Sequence, residues 1–114
     1  AAHNSPLLVT KEGVPLKLKT DKMPVGSGHI YESFNRFAIP YNEGDILYLT
    51  TDGFSDQFGG PKGKKFKYKK LEALFVSNYE KPFKDQQNIL EHTFSSWQGN
   101  MQQIDDVCVM AIKL

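Results

Sequence analysis

ILYLTTDG, at residues 46–53, is the stretch that decides the fold. Its first four residues are all apolar, which places apolar side chains on both faces of an extended chain and is typical of a strand covered on both sides. A turn is predicted directly before it, at residues 42–45, and the Asp-Gly pair at its end predicts another turn. The stretch therefore predicts a strand inside a sheet, with Asp52 at the end of that strand.

Further strands are predicted upstream of this stretch. Residues 6–10 are rich in apolar side chains, residues 14–19 alternate apolar and polar ones, and a turn at residues 11–13 lies between them. This pattern predicts a β-hairpin with one solvated face. The apolar positions of its second strand are Val14, Leu16 and Leu18. A turn at residues 23–28 and another strand over residues 30–39 are predicted next.

Two helices and a final strand are predicted downstream. Residues 53–65 are rich in glycine, proline and lysine, which predicts a mobile loop without apolar anchors. Apolar side chains recur at helical spacing over residues 66–77 and 82–98, and Gly99 marks the stop of the second helix. The apolar run at residues 107–112 predicts a strand in the middle of a sheet. This order of elements predicts an α+β fold, with two helices on one face of a mainly antiparallel sheet.

Length and composition exclude several classes of protein. The 114 residues suit one domain, and a hydrophobic fraction of 39% supplies a core, which excludes a disordered tail. A net charge of +1 excludes general nucleic-acid binding. No apolar stretch reaches the roughly 20 residues that cross a bilayer, and the amino terminus lacks a signal-peptide pattern. We therefore expect a cytoplasmic chain without membrane contact, with its single cysteine, Cys108, buried and inert.

Carboxylates stand at two strand boundaries. Asp52 ends the strand at residues 46–51, and Asp105 and Asp106 begin the last strand. If the two strands run antiparallel in one sheet, the three carboxylates converge on the same edge, where oxygen ligands suit Mg²⁺ or Mn²⁺. The alternative is an ordinary Asp-Gly turn and a solvated strand entry. Spacing alone leaves both interpretations open.

Four segments carry a resemblance to a known family. GDILYLTTDG at residues 44–53 resembles the Gly-Asp, apolar strand, Thr/Ser-Asp-Gly segment of PPM-type metal-dependent serine/threonine phosphatases of the SpoIIE-like group, relatives of the type 2C protein phosphatases. DDVCV at residues 105–109 is similar to that family's Asp-Asp or Asp-Asn strand entry. AHNSPLL at residues 2–8 and MPVG at residues 23–26 are similar to its His-Asn strand entry and its Pro-Leu-Gly turn. The segments follow the family's order.

The resemblance implies a function and a site. Residues 1–114 would be the carboxy-terminal half of a phosphatase domain, half of a layered αββα sandwich, since the family's first half has no counterpart here. Asp52 and Asp105 match metal ligands, Asp106 takes a position that is often Asn, and Gly53 permits close backbone approach. Two Mg²⁺ or Mn²⁺ ions would activate a water for attack on a phosphorylated regulatory protein of a bacterial signalling pathway, so that no protein nucleophile is needed.

The sequence leaves two questions open: the role of six clustered lysines, and a second interpretation of the chain's function. The lysines cluster in residues 62–70, where Lys64 and Lys65 are candidates for substrate docking, although a solvated surface explains the cluster as well. The second interpretation is a noncatalytic, pseudophosphatase-like interaction module. Because half a domain exposes a strand edge and an apolar face, we also expect self-association. Because the carboxylate that bridges the two ions would come from the family's first half, we expect weak metal binding and no activity of the chain alone.

Overall fold

The structure is a computed structural model that describes residues 4–18 and 39–114. The turn predicted at residues 23–28 and, apart from Ile39, the strand predicted over residues 30–39 lie outside the described residues. The elements are, in order, β1 (Leu7–Val9), β2 (Pro15–Lys17), β3 (Ile46–Thr50), β4 (Phe58–Gly59), β5 (Lys64–Lys65), α1 (Tyr68–Asn78), α2 (Phe83–Gln98) and β6 (Val109–Lys113).

Four strands form an antiparallel sheet in the order β2-β1-β3-β6. Its central strand β3 pairs on one side with β1, with Tyr48 opposite Leu7, and on the other side with β6, with Tyr48 opposite Ala111. The predicted turn before β3 is present, because the amide of Asp45 donates to the carbonyl of Asn42 at 3.1 Å. The α+β class and the antiparallel sheet are thus confirmed.

The core lies between one face of this sheet and the two helices. Its buried residues are Leu7, Val9, Ile46, Tyr48, Phe54, Phe66, Leu71 and Phe75. The ring of Tyr48 on β3 stacks on that of Phe75 on α1, with centroids 4.1 Å apart, and Leu90, Phe94 and Trp97 of α2 pack against the same cluster. No helix in the described part of the chain is long and apolar enough to cross a membrane.

The first hairpin is present, but its burial differs from the prediction. β1 is buried along its whole length, whereas every residue of β2 is exposed, as is Val14 just before it. Leu16, expected on a covered face, remains 43% exposed. The reason is position, because β1 lies between two strands while β2 is the outer strand of the described sheet.

The last strand also differs from the prediction. Among the described strands β6 pairs with β3 alone, so it lies at an edge and not in the middle of the sheet. The apolar run that suggested a central strand leaves Met110 51% and Ile112 40% exposed. Cys108, expected to be buried, is exposed because it lies on the same side of the strand as the exposed Met110 and Ile112.

The prediction of an unanchored loop over residues 53–65 is wrong. Phe54 is buried, and its ring meets the ring edges of Phe66 and Phe94 at centroid distances of 5.2 and 5.1 Å. The segment then forms the small antiparallel hairpin β4–β5. Its aromatic anchors come from α2 and from the segment before α1, which local composition does not reveal.

Candidate functional site

The antiparallel pairing of β3 and β6 brings Asp52 and the Asp105–Asp106 segment to the same edge of the sheet. Thr50 is opposite Val109 in this pairing. Beyond it, the amide of Thr51 donates to the carbonyl of Cys108 at 3.0 Å, and the Thr51 hydroxyl donates to the carbonyl of Asp106 at 2.9 Å. The backbone neighbours of the predicted ligands are therefore joined directly.

A third segment reaches this edge from the start of the chain. The side-chain amide of Asn4 donates to the hydroxyl of Thr50 at 3.0 Å and to the carbonyl of Thr51 at 3.2 Å. Asn4 belongs to the AHNSPLL segment, so three of the segments singled out in the sequence meet here. Asn4 was not among the predicted site residues. The sequence feature that indicates Asn4 is a pair of polar residues, Asn4 and Ser5, directly before the strand predicted at residues 6–10. That strand, β1, pairs with β3.

Gly53 is where the two strand ends touch. A Cβ atom at this position would lie 2.8 Å from the carbonyl carbon of Asp106 and would overlap its oxygen. Any side chain would therefore push the turn away from the strand entry. The close approach at Gly53 is therefore one to the chain itself, and the place of Gly53 in a metal site stays a prediction.

Local hydrogen bonds orient the two predicted ligand segments. The Asp52 carbonyl accepts the Asp56 amide at 2.9 Å and the Ser55 hydroxyl at 3.2 Å, which closes a tight turn after β3. On the other segment, Asp105 Oδ1 accepts the amide of Asp106 at 2.8 Å. Asp52 is half-buried, while Asp105 and Asp106 are exposed.

The chemistry of these donors fits a hard divalent cation in part. Such ions prefer carboxylate oxygens and retain several waters, so one or two carboxylates from a given segment suffice. Within residues 4–18 and 39–114, no group of three or more His, Cys, Asp or Glu side chains is arranged to hold a metal ion. Asp52, Asp105 and Asp106 thus do not form a complete three-carboxylate site by themselves, and their role as ligands stays a prediction.

The predicted docking lysines lie on the hairpin that follows the Asp52 turn. Lys64 and Lys65 form β5, and both are exposed. The ammonium group of Lys65 lies 3.8 Å from Asp56 Oδ1 and 5.8 Å from the centre of the Phe58 ring. Lys65 therefore contacts both the turn after Asp52 and the neighbouring strand β4.

The comparisons with known proteins identify the family. The chain matches SpoIIE, described as Stage II sporulation protein E, over residues 1–114. The chain belongs to the SpoIIE family. Among solved structures, the SiaA-PP2C domain of Pseudomonas aeruginosa matches 99% of this chain with a TM-score of 0.85 and 25% sequence identity. This SpoIIE-family chain covers 44% of that structure's chain. No curated protein matches it.

Gln57 is a further residue beside the candidate site that the sequence did not reveal. It is fully buried, and its side-chain amide donates to the carbonyls of Phe58 at 2.9 Å and Gln102 at 3.0 Å. Its own carbonyl accepts the indole N–H of Trp97 at 2.8 Å. Gln57 thus links the turn after Asp52 to the segment that leads to Asp105. The only local indication is a polar residue directly before Phe58, in a segment predicted to be a loop.

Proposed function

We propose that this chain is the carboxy-terminal part of a metal-dependent protein serine/threonine phosphatase domain. The observation that supports the proposal is the direct contact between the Asp52–Gly53 turn and the backbone of Asp106 at one sheet edge, in a chain of the SpoIIE family. The likeness to a PP2C domain supports the same reaction class. The proposed substrate is a phosphorylated regulatory protein of a cytoplasmic signalling pathway in a bacterium.

In this proposal each residue at the edge has a distinct role. Asp52 and Asp105 hold Mg²⁺ or Mn²⁺, and Asp106 contributes its negative charge beside them. When bound, the metal supplies an activated water and neutralises charge on the phosphate. Thr51 and Asn4 keep the end of β3 fixed through the hydrogen bonds described above, so the carboxylates stay in place during binding. Residues outside the described part of the chain or outside these 114 residues provide the remaining ligands.

The test uses the natural gene product that contains this chain. Asp52→Asn and Asp105→Asn are compared with Glu43→Gln, a control at the opposite end of β3. Replacing a residue that only hydrogen-bonds to a metal ligand typically lowers metal affinity or activity by about 10–100-fold. Replacing a direct ligand should therefore lower kcat/KM for a phosphoserine peptide by more than about 100-fold. Calorimetric titration with Mn²⁺ should show a matching loss of affinity. Unchanged Mn²⁺ affinity and activity in both Asn variants would reject the assignment.

The noncatalytic interaction module is the second candidate. It is supported by the lack of a three-carboxylate group among the described residues and by the exposed edge strand β6. Two measurements, of hydrolysis and of partner binding, distinguish the two functions. Under this alternative the natural gene product hydrolyses no phosphoserine peptide at any Mn²⁺ concentration, and Asp52→Asn leaves its binding to partners unchanged.

A further inference from the structure

The structure divides the lysines of residues 62–70 into two groups. Lys65 is paired with Asp56, and the ammonium group of Lys70 lies 4.4 Å from the centre of the Trp97 ring and 5.7 Å from that of Phe66. These two side chains are engaged with the protein. The other four are exposed, and none of them forms an ion pair with any described residue. They are Lys62, Lys64, Lys67 and Lys69.

Two backbone hydrogen bonds and one ion pair hold this lysine group beside the Asp52 turn. The amide of Lys67 donates to the carbonyl of Ser55 at 2.7 Å, and the amide of Phe66 donates to the carbonyl of Gln57 at 3.0 Å. The Lys65–Asp56 ion pair joins the same two segments. Since the turn begins at Asp52, the hairpin with Lys62 and Lys64 lies next to the candidate metal edge, and Lys67 and Lys69 follow it at the start of α1.

Positive charge is concentrated in the part of the chain that carries these lysines. Residues 52–72 contain six lysines and three acidic residues, a net charge of +3, although the whole chain has a net charge of only +1. A further ammonium group, that of Lys17 on β2, lies 4.7 Å from the centre of the Tyr68 ring at the start of α1. Exposed charges act over about 8–10 Å at physiological salt, so this surface attracts anionic groups that come close to it.

We infer that the exposed lysines Lys62, Lys64, Lys67 and Lys69 form a docking surface for an acidic segment that flanks the phosphorylated residue of a protein substrate. The inference rests on the proposed function, because the hairpin lies beside the edge where the phosphate would bind. The chemistry of the surface favours an acidic peptide over a nucleic acid. Its charges are all lysines, which act as point charges without the paired donors of arginine, and its nearby aromatic rings of Phe66 and Trp97 are covered by Lys70 and by each other.

The test compares two phosphoserine peptides of equal length with the natural gene product. One has aspartates on both sides of the phosphoserine, and the other has asparagines at those positions. The variant is Lys62→Glu with Lys64→Glu. The matched control is Lys84→Glu with Lys113→Glu, two exposed lysines at the start of α2 and at the end of β6 away from Asp105. We expect the variant to lower the ratio of kcat/KM for the acidic peptide over the neutral one by about tenfold, and the control to leave the ratio unchanged.

A binding measurement without metal separates docking from catalysis. In EDTA, the fluorescence anisotropy of the labelled acidic peptide should show weaker binding to the Lys62→Glu, Lys64→Glu variant than to the wild type. If no substrate is hydrolysed with Mn²⁺ but this difference persists, the proposed reaction fails and the docking surface stands. Equal effects on both peptides, an equal effect of the control, or tighter binding of a single-stranded oligonucleotide than of the acidic peptide would each overturn the docking surface.

Discussion

Gly53 shows how a single residue without a side chain can define a site. Its neighbour Asp52 supplies the carboxylate, but the separation between the Asp52 turn and the strand entry at Asp106 depends on the missing Cβ. Asp45 has a comparable role at the other end of β3. It is buried, with one carboxylate oxygen accepting the amide of Lys11 at 2.9 Å and the other that of Asn42 at 2.8 Å. The two aspartates of GDILYLTTDG therefore differ in function: Asp45 holds the backbone, and Asp52 is the candidate ligand.

Replacing Gly53 with alanine tests the contact at the candidate site. The new methyl group would overlap the Asp106 carbonyl, so we expect the free energy of unfolding to fall by about 1–3 kcal/mol and the Mn²⁺ affinity to fall with it. Gly44→Ala is the control. Its positive φ of 97° also disfavours alanine, by roughly 1 kcal/mol, but the residue lies before the start of β3, at the end opposite Asp52. Urea denaturation and Mn²⁺ titration of the natural gene product measure both quantities, and a Gly53→Ala protein with unaltered Mn²⁺ affinity would contradict the assigned role.

Elements differ in how far local sequence determines them. β3 follows from its apolar run and the turns beside it, and both helices follow from hydrophobic periodicity. α2 ends at Gly99 as predicted, with φ of 54° there. The packed segment after Asp52 does not follow, because its anchors Phe66, Phe94 and Trp97 are up to 40 residues away from their partners. The edge position of β6 and the exposure of β2 depend on strand order, which periodicity does not encode. At the site, the position of Asp52 was predictable, whereas the roles of Asn4 and Gln57 required the pairing of distant segments.

A hydrogen bond between β3 and α2 predicts how the stability of the fold depends on pH. The hydroxyl of Tyr48 donates to Gln86 Oε1 at 2.7 Å, and Gln86 in turn donates to the carbonyl of Lys81 at 2.8 Å. Burial raises the pKa of Tyr48 to about 12 from 10.0, while the hydrogen bond to Gln86 opposes part of that rise. The folded state therefore keeps this proton when the unfolded state has lost it. The stabilisation is complete below pH 10 and is lost as the pH rises from 10 to 12.

Replacing Tyr48 with phenylalanine should have two effects. At pH 7 it removes the hydroxyl and leaves Gln86 Oε1 without this donor, which should lower the free energy of unfolding by about 1–3 kcal/mol. Between pH 10 and 12 the variant should lose stability less steeply than the wild type. Urea denaturation at pH 7, 9, 10 and 11 measures both effects. Parallel stability curves above pH 10 would show that Tyr48 does not titrate as described.

The whole molecule leaves apolar side chains exposed on the two outer strands of its described sheet. On the sheet face opposite the helices, Leu16 of β2 and Ile112 of β6 stand at either side of Leu8, which is buried, and Leu47, which is half-buried. Leu16, Ile112 and the nearby Met110 are 43%, 40% and 51% exposed. A groove of about 450 Å³ also opens between α2 and the sheet, lined in part by Leu90, Phe94 and Val109. Soluble monomers rarely leave such a surface open, so it suits contact with further protein.

Self-association of the 114-residue chain alone is the expected consequence. We expect its mass, measured by light scattering after gel filtration, to rise with concentration above that of the 12.9 kDa monomer. Leu16→Lys with Ile112→Lys should shift the chain towards the monomer, because both charges enter the apolar face. Ile104→Lys, at an exposed position between α2 and β6, is the control. A monomeric wild type at all concentrations would contradict this prediction.

The final prediction is that the isolated chain hydrolyses neither aryl phosphates nor phosphoserine peptides and binds Mn²⁺ only weakly. A two-metal reaction needs carboxylates that bridge both ions and hold the attacking water between them. The described residues provide no group of three ligands, and the chain covers 44% of the SiaA-PP2C structure it resembles. With two aspartates and a largely hydrated ion, the dissociation constant for Mn²⁺ should be about 1 mM or weaker, as in other weak oxygen-ligand sites. Calorimetry and a phosphate-release assay over a range of protein concentrations test both statements. Mn²⁺-dependent turnover that Asp52→Asn abolishes would show instead that copies of this chain assemble a working site from residues at the Asp52 edge.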